Sequence, residues 1–288
     1  MSFLICIISA FFWAIFDLTR KISLQYIEPK ILLFLFTFVQ LIIFFIWIIL
    51  DEFSIVFTNY FFPGLILIII GVISAILFLE AINSSELSLT IPLLSFSPIF
   101  SSVFSFIFLD EKLKYIQYLG IFFILFGTLV LYAKELKLNS IFLSIKTIKK
   151  NASAKLMLLV ALIWSITPVL DKICLKSSSI NIHGLIQSLG MLIFLIFLLS
   201  KNFVKQLKDI KKEALKIISF TLLVGTSATI LQFYAITLNF VPIMESIKRA
   251  IGQFSSVFFG KMFFQEKVTS QKIIGVILLS IGVSFILR

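Results

Sequence analysis

Three charged residues, Glu245, Lys248 and Arg249, stand within five positions of "VPIMESIKRAIGQFSSVFFG" (241–260), a stretch otherwise built from apolar and small residues. Two kinds of chemistry are open to them. Glu245 lies three residues before Lys248 and four before Arg249, spacings that allow ion pairing along one helix. A single carboxylate neutralises only one cation, so the face keeps a positive surplus able to hold a carboxylate or a phosphate. Stepped at 100° per residue, Glu245, Lys248, Arg249, Gly252, Gln253, Ser256 and Gly260 share one arc, with Ile243, Ile247, Ala250 and Phe254 opposite; Phe259 is the exception. The competing reading is that the two cations, close to the helix start, snorkel to the lipid headgroups.

The elements that position these residues belong to a membrane. The chain has 288 residues, of which 60% are hydrophobic and only 14% charged, and its mean hydropathy is +1.14. Soluble domains average about 45–50% apolar and about 25% charged residues. Runs such as "ILLFLFTFVQLIIFFIWIIL" (31–50) meet the length of roughly 20 residues that crosses a bilayer as a helix. A charge near the centre of such a helix costs about 2.5–3.5 kcal/mol on insertion scales, so it faces a bundle interior or a wet cavity. The net charge of +11 does not indicate nucleic-acid binding, because most Lys sits in two short connectors with no soluble domain around them. Cys6 and Cys174 fall in or at the ends of apolar runs and suggest no disulfide framework.

Hydropathy predicts ten spans, near 2–19, 31–50, 61–83, 87–109, 115–133, 156–173, 182–200, 215–236, 241–264 and 271–287. A polar connector, 137–155, divides them into two halves of five, 1–136 and 156–288. The halves are alike. "WAIFDLTRKISL" (13–24) aligns with "WSITPVLDKICL" (164–175), and "FLEAI" (78–82) with "QFYAI" (232–236). Glu111, Gly120 and Gly127 recur at the same spacing as Glu266, Gly275 and Gly282. An odd number of spans per half forces the second half to enter from the opposite side. The expected fold class is therefore an all-α integral membrane protein, with ten transmembrane helices as two inverted five-helix repeats and a site near the midplane between them.

With these motifs, above all the Glu-x8-Gly-x6-Gly ending of each half, the chain resembles the EamA family of the drug/metabolite transporter superfamily. The resemblance covers both halves. It departs at Ala14 and Ser165, where a Gly often follows the first-span Trp. It implies a ten-helix secondary carrier, mostly an exporter of amino acids or other small metabolites, with both termini in the cytoplasm. The Lys and Arg bias among connectors predicts the opposite orientation.

Pooled, these signals nominate Lys248, Arg249, Glu245, Gln253, Ser95, Trp13, Trp164 and Gln232 as substrate-binding residues. Trp13 and Trp164 lie well inside their spans, where cavity-wall and packing roles are both open. "SLTIPLLSFSPIFSSVF" (88–104), the first-half counterpart of the charged span, has no charge; Pro92 and Pro98 interrupt it, and Ser88, Ser95 and Ser102 follow one face. Glu80, in a setting that the resemblance likens to a recurrent Glu-Ala-Leu segment, is the candidate for a coupling proton, against a reading as a helix-end carboxylate in headgroup water. Asp17 and Asp171 are expected to pair at the interface with Lys21 and Lys172. Gln40 and Gln187 are open to cavity lining or interhelical bonding, His183 is placed at the interface, and Glu111 and Glu266 are read as tight-turn carboxylates.

The favoured function is secondary export of a small polar metabolite with an anionic group, by alternating access. Multidrug or lipophilic-cation efflux and lipid-linked phosphate translocation stand as alternatives. An intramembrane enzyme or a structural subunit ranks lower. No Walker motif or H-E-x-x-H is present, so no cofactor, metal or catalytic residue is expected. Partners are a small-molecule substrate and the lipid bilayer, with proton coupling, as a monomer or homodimer in a bacterial or archaeal inner membrane.

Overall fold

The structure, a computed structural model, describes residues 2–85, 91–132, 152–198 and 203–288. Helices α1 (Ser2–Ser23), α2 (Pro29–Leu50) and α3 (Phe57–Ser84) are followed by a 3-10 segment, Ile91–Phe96, that runs into α4 (Ser97–Leu109) and by α5 (Tyr115–Tyr132). Then come α6 (Ala152–Leu175), α7 (Ile180–Leu198), the short helix Phe203–Lys208, α8 (Lys212–Leu238), α9 (Val241–Phe264) and α10 (Ser270–Ile286). Among the described residues, α1, α2, α3, α6, α7 and α8 are long and apolar enough to cross a membrane, and Leu93–Leu109, Tyr115–Val130 and Ser270–Ile286 are shorter apolar helices. At 1.5 Å per residue the 24 residues of α9 extend about 36 Å, a spanning length whose apolar character is diluted by its charges. Outward-facing side chains such as Leu50 and Phe197 are large, apolar and exposed, as contact with hydrocarbon requires. The protein is an integral, multi-pass membrane protein.

Proline sets several helix starts. Pro29, Pro98 and Pro242 lie in the first turns of α2, α4 and α9, where the missing N–H has no helical acceptor. The span expected at 87–109 is instead divided, with a 3-10 segment holding Pro92 and the α-helix starting at Ser97. Ser95 and Ser102 are buried, and Ser88 lies outside the described residues. Most of the 137–155 connector is likewise undescribed, but its last residues, from Ala152, form the first turn of α6. The basic segment after α7 folds onto the protein: Phe203, Leu207 and Ile210 pack against the core, and Phe203 meets Phe34 edge-on at 4.7 Å.

Helix partners exchange between the two halves. α1 packs on α8 and α3 on α6; α1 packs on α9 and α4 on α6; α2 packs on α7 and α5 on α10. The repeated glycines carry the last contact. A Cβ on Gly120 would lie 2.6 Å from the Gly282 carbonyl oxygen, and one on Gly127 would lie 2.8 Å from that of Gly275. The two helices run antiparallel with backbones in direct contact, which only small residues allow. Both α4 and α9 end in a left-handed residue, Asp110 and Gln265, each with φ 55°.

Glu111 and Lys172 lock one end of the bundle. The Glu111 carboxylate accepts from Lys172 Nζ at 2.7 Å and from the Val241 N–H, the first amide of α9, at 2.8 Å, while Lys172 also donates to the Asn239 carbonyl at 2.7 Å. Near that end the loop before α3 pairs with the loop before α7: the Val56 N–H donates to the Ser177 carbonyl at 2.8 Å, and the Ser179 N–H to the Ser54 carbonyl at 2.9 Å. In the equivalent place of the other half, Lys21 donates to the Ile82 carbonyl at 2.8 Å and to that of Ser85. The expected Asp17–Lys21 and Asp171–Lys172 pairs do not form, since both lysines are drawn away to these inter-helix acceptors.

Candidate functional site

α1, α2, α3, α6, α7, α8 and α9 enclose a cavity of about 190 Å³. Its walls are largely aromatic and aliphatic, with polar groups at set points. Trp13, Trp164, Gln232, Glu245, Lys248 and Arg249, six of the eight nominated binding residues, line it.

The α9 group is buried and faces inward. Glu245 is 1% exposed, Arg249 5% and Lys248 9%, so neither cation snorkels to the headgroups. The Arg249 guanidinium takes Glu245 Oε2 at 2.6 Å and donates from Nε to Ser97 Oγ at 3.0 Å; Ser97 in turn donates to Glu245 at 3.2 Å. Ser97 opens α4, so the uncharged counterpart helix secures the charged one. Lys248 is held more loosely. Its Nζ is 3.6 Å from Glu245 Oε1, beyond an ordinary hydrogen bond, donates to Gln232 Oε1, and sits 4.2 Å from the Trp13 ring centroid. Glu245 is therefore committed to Arg249, and the positive surplus is Lys248.

The tryptophans are anchored unequally. Trp164 donates from Nε1 to Ser74 Oγ at 3.0 Å and stacks on Phe78 at 4.8 Å. Trp13 Nε1 is buried and has no hydrogen-bond partner among the described residues, a donor left for a ligand or water. Trp13, Trp164, Lys248 and Arg249 also line a small void on the far side, toward Ile91 and Gly252, so they form a partition within the bundle.

Three nominated residues lie elsewhere. Gln253, one turn further along α9, is turned toward α5 and donates to Thr128 Oγ1 at 3.3 Å. Ser95 is buried in the 3-10 segment, outside the cavity wall. Glu80 is exposed near the end of α3 and does not reach the cavity.

A family model described as the EamA-like transporter family matches residues 1–133 and 152–288. The chain belongs to that family. The EamA family consists of transporters rather than enzymes, and this member is a membrane transporter of the drug/metabolite type. One solved crystal structure of a protein aligns with this EamA-like chain at a TM-score of 0.71 and 14% identity, covering 99% of this chain and 97% of its own. At that identity the likeness concerns the fold alone. No curated protein matches.

Sequence reasoning missed two charged residues of this EamA-like cavity. Arg20 lines it, paired with Asp17 and stacked 4.1 Å from the Phe16 centroid and 4.3 Å from that of Phe78. Asp171 lines it as well, bonded to His183 rather than to Lys172. A signal was present: each lies seven residues after the repeated Trp of its helix, and two turns bring a residue back to the same face. Gln40 and Gln187, open between two roles, do both. They line the cavity, and Gln40 donates to Thr229 Oγ1 at 2.9 Å while Gln187 donates to Tyr60 OH at 3.1 Å.

Proposed function

We propose that the protein is a secondary transporter that exports a small polar metabolite with an anionic group, an amino acid or a related compound, across a bacterial or archaeal inner membrane. The observation that carries this reading is Lys248, a buried cation whose carboxylate neighbour is committed to Arg249 and whose ammonium borders the cavity. An anion there completes a charge-assisted contact that the protein leaves unfinished. Trp13 Nε1, buried and without a hydrogen-bond partner among the described residues, supplies a further donor beside it.

Size favours a metabolite over a bulky drug. About 190 Å³ lies below the roughly 300–1,000 Å³ of pockets for drug-sized ligands. The exchange of helix partners between halves supports ten membrane helices as two inverted five-helix repeats, related so that α1–α8 mirrors α6–α3 and α1–α9 mirrors α6–α4. In that arrangement, rocking of one repeat against the other exposes the cavity to each side in turn. The partition of Trp13, Trp164, Lys248 and Arg249, drawn from both repeats, lies where such a motion must part the halves.

Thermal stabilisation of the detergent-purified protein against amino and organic acids, lipophilic cations and polyprenyl phosphates tests the reading. A ligand at a hundred times its Kd stabilises by about 2.7 kcal/mol. The expected result is stabilisation by an acid, abolished in Lys248→Ala. Stabilisation by cations alone, unaffected in that variant, would sink the proposal.

A further inference from the structure

Among the described residues, the charges of the cavity wall do not cancel locally. Arg249 takes Glu245, and Arg20 takes Asp17. That leaves Lys248 and, elsewhere in the same wall, Asp171. A relay of neutral groups holds the Asp171 carboxylate in place. Gln187 Nε2 donates to the Tyr60 oxygen at 3.1 Å, so the Tyr60 hydroxyl gives its hydrogen to His183 Nδ1 at 2.9 Å. The imidazole N–H is then at Nε2 and donates to Asp171 Oδ1 at 3.1 Å. This is the one hydrogen bond that the Asp171 carboxylate accepts among the described residues, and its second oxygen stays open to a ligand.

Helix geometry gives the separation of the two charges twice. Arg249 lies 5.5 Å from the Trp164 ring, which puts it and its neighbour Lys248 level with Trp164. Asp171 follows Trp164 by seven residues of α6, two turns or about 10 Å. From the other direction, Glu111 ties Lys172 to Val241 at the start of α9, and Lys248 follows Val241 by seven residues, again two turns. Charge-assisted contacts of about 2.8 Å at each end leave about 5 Å between the charged atoms of a ligand. An extended chain advances about 1.2 Å per bond, so about four bonds or more must separate a ligand's nitrogen from its carboxyl carbon. The ammonium and carboxylate of an α-amino acid share one carbon and cannot touch both residues.

We infer that the cavity takes an extended zwitterion, an ω-amino acid whose carboxylate meets Lys248 and Trp13 Nε1 and whose ammonium meets Asp171. The inference names the substrate class of the transport reading above and rests on it. The wall between the two ends suits methylenes. Phe233 follows Gln232, which holds Lys248, and its ring is 4.8 Å from that of His183 and 6.4 Å from that of Phe44. Gln40 and Gln187 already give their amide hydrogens to Thr229, Tyr60 and Gly64. A peptide link in the ligand would bury polar groups against such a wall, at a cost that an apolar chain avoids. A dicarboxylate is the competing ligand, because Arg20, toward the other end of the bundle, has a buried Nε without a hydrogen-bond partner among the described residues. Its guanidinium is covered by the Phe16 and Phe78 rings, however, and Asp17 takes its charge.

Three ligands of one length decide between these classes on the full-length protein in detergent. They are hexanoate, 5-aminopentanoate, with an ammonium in place of the terminal methyl, and hexanedioate, with a carboxylate there. Titration of Tm gives each Kd, and Tm without ligand reports that each variant is folded. 5-Aminopentanoate is expected to bind at least about tenfold tighter than hexanoate, and hexanedioate no tighter than hexanoate. In Asp171→Asn the ratio of the first two Kd values should fall to about one. With no substitution at all, glycine should bind at least about tenfold more weakly than 5-aminopentanoate. Equal binding of hexanoate and 5-aminopentanoate, or a preference for hexanedioate or glycine, would overturn the inference; if that binding still weakens in Lys248→Ala, the anion reading stands. An amine preference that survives in Asp171→Asn would place the ammonium elsewhere and overturn it as well. Binding untouched by Lys248→Ala would sink the anion reading, with the Asp171→Asn ratio still deciding the amine end. Binding of none of the four would overturn the inference, and the acid panel above then decides the anion reading.

Discussion

Arg20 and Asp171 occupy equivalent positions in the two repeats, each two turns after its tryptophan and each facing the cavity, yet they carry opposite charges. The residues immediately after them do not differ at all. Lys21 and Lys172 perform the same task at opposite ends, reaching the Ser85 and the Asn239 carbonyl respectively. Where duplication has been kept, its residues tie helices together: the lysines, the left-handed ends at Asp110 and Gln265, and the facing glycines of α5 and α10. Where it has been abandoned, at positions 20 and 171 and along α9 against α4, the residues surround the cavity. Apart from the repeated Trp13 and Trp164, which line the cavity in both halves, symmetry in this molecule marks scaffold, and its loss marks the site.

The largest expected effect breaks the asymmetric side. Glu245→Gln strips the buried carboxylate from Arg249 and Lys248, and the loss of one partner of a buried pair costs about 3–5 kcal/mol. A large fall in Tm of the purified protein is expected. Next comes the symmetric side. Gly120→Val and Gly282→Val each force apart backbones already in contact, at about 1–3 kcal/mol apiece. Because they open the same gap, the double variant should cost less than the two singles combined, which a double-mutant cycle on Tm measures.

A smaller effect separates the tryptophans. Trp164→Phe removes a hydrogen bond to Ser74 and should cost about 1 kcal/mol. Trp13→Phe removes a donor that has no hydrogen-bond partner among the described residues, so Tm should hardly move while ligand-induced stabilisation shrinks. Equal thermal effects in the two variants would contradict the division into packing and ligand-facing tryptophans.

The parts of the fold that the amino-acid order made legible are those where membrane energetics leave few choices. A charged trio in an apolar run could face inward or snorkel to the headgroups, the helical arc favoured the first, and Glu245, Lys248 and Arg249 are buried facing the cavity. The Glu-x8-Gly-x6-Gly spacing signalled repetition, and the glycines prove to be backbone contacts. Residues at span ends were not legible, because hydropathy cannot tell whether a helix end is in water or roofed by loops. Asp171 and His183 were placed at the interface on that ground. The pairing of residues 54–56 with 177–179 and the ring of Tyr60 bury His183 instead. Glu80, at another span end, has no such cover and is exposed. Gln253 shares the polar arc of α9, but that helix has neighbours on several sides, and periodicity alone cannot say which one a given residue meets.

The most direct test of the central claim, that the Lys248 side of the cavity binds the transported anion, is exchange of radiolabelled amino acids in proteoliposomes by the unaltered protein and by Lys248→Ala. The prediction is at least about a tenfold loss of exchange, the value of one charge-assisted contact of 1.4 kcal/mol or more, with the protein still folded by Tm. Equal exchange by the two proteins would show that the cation on α9 is not where the substrate binds.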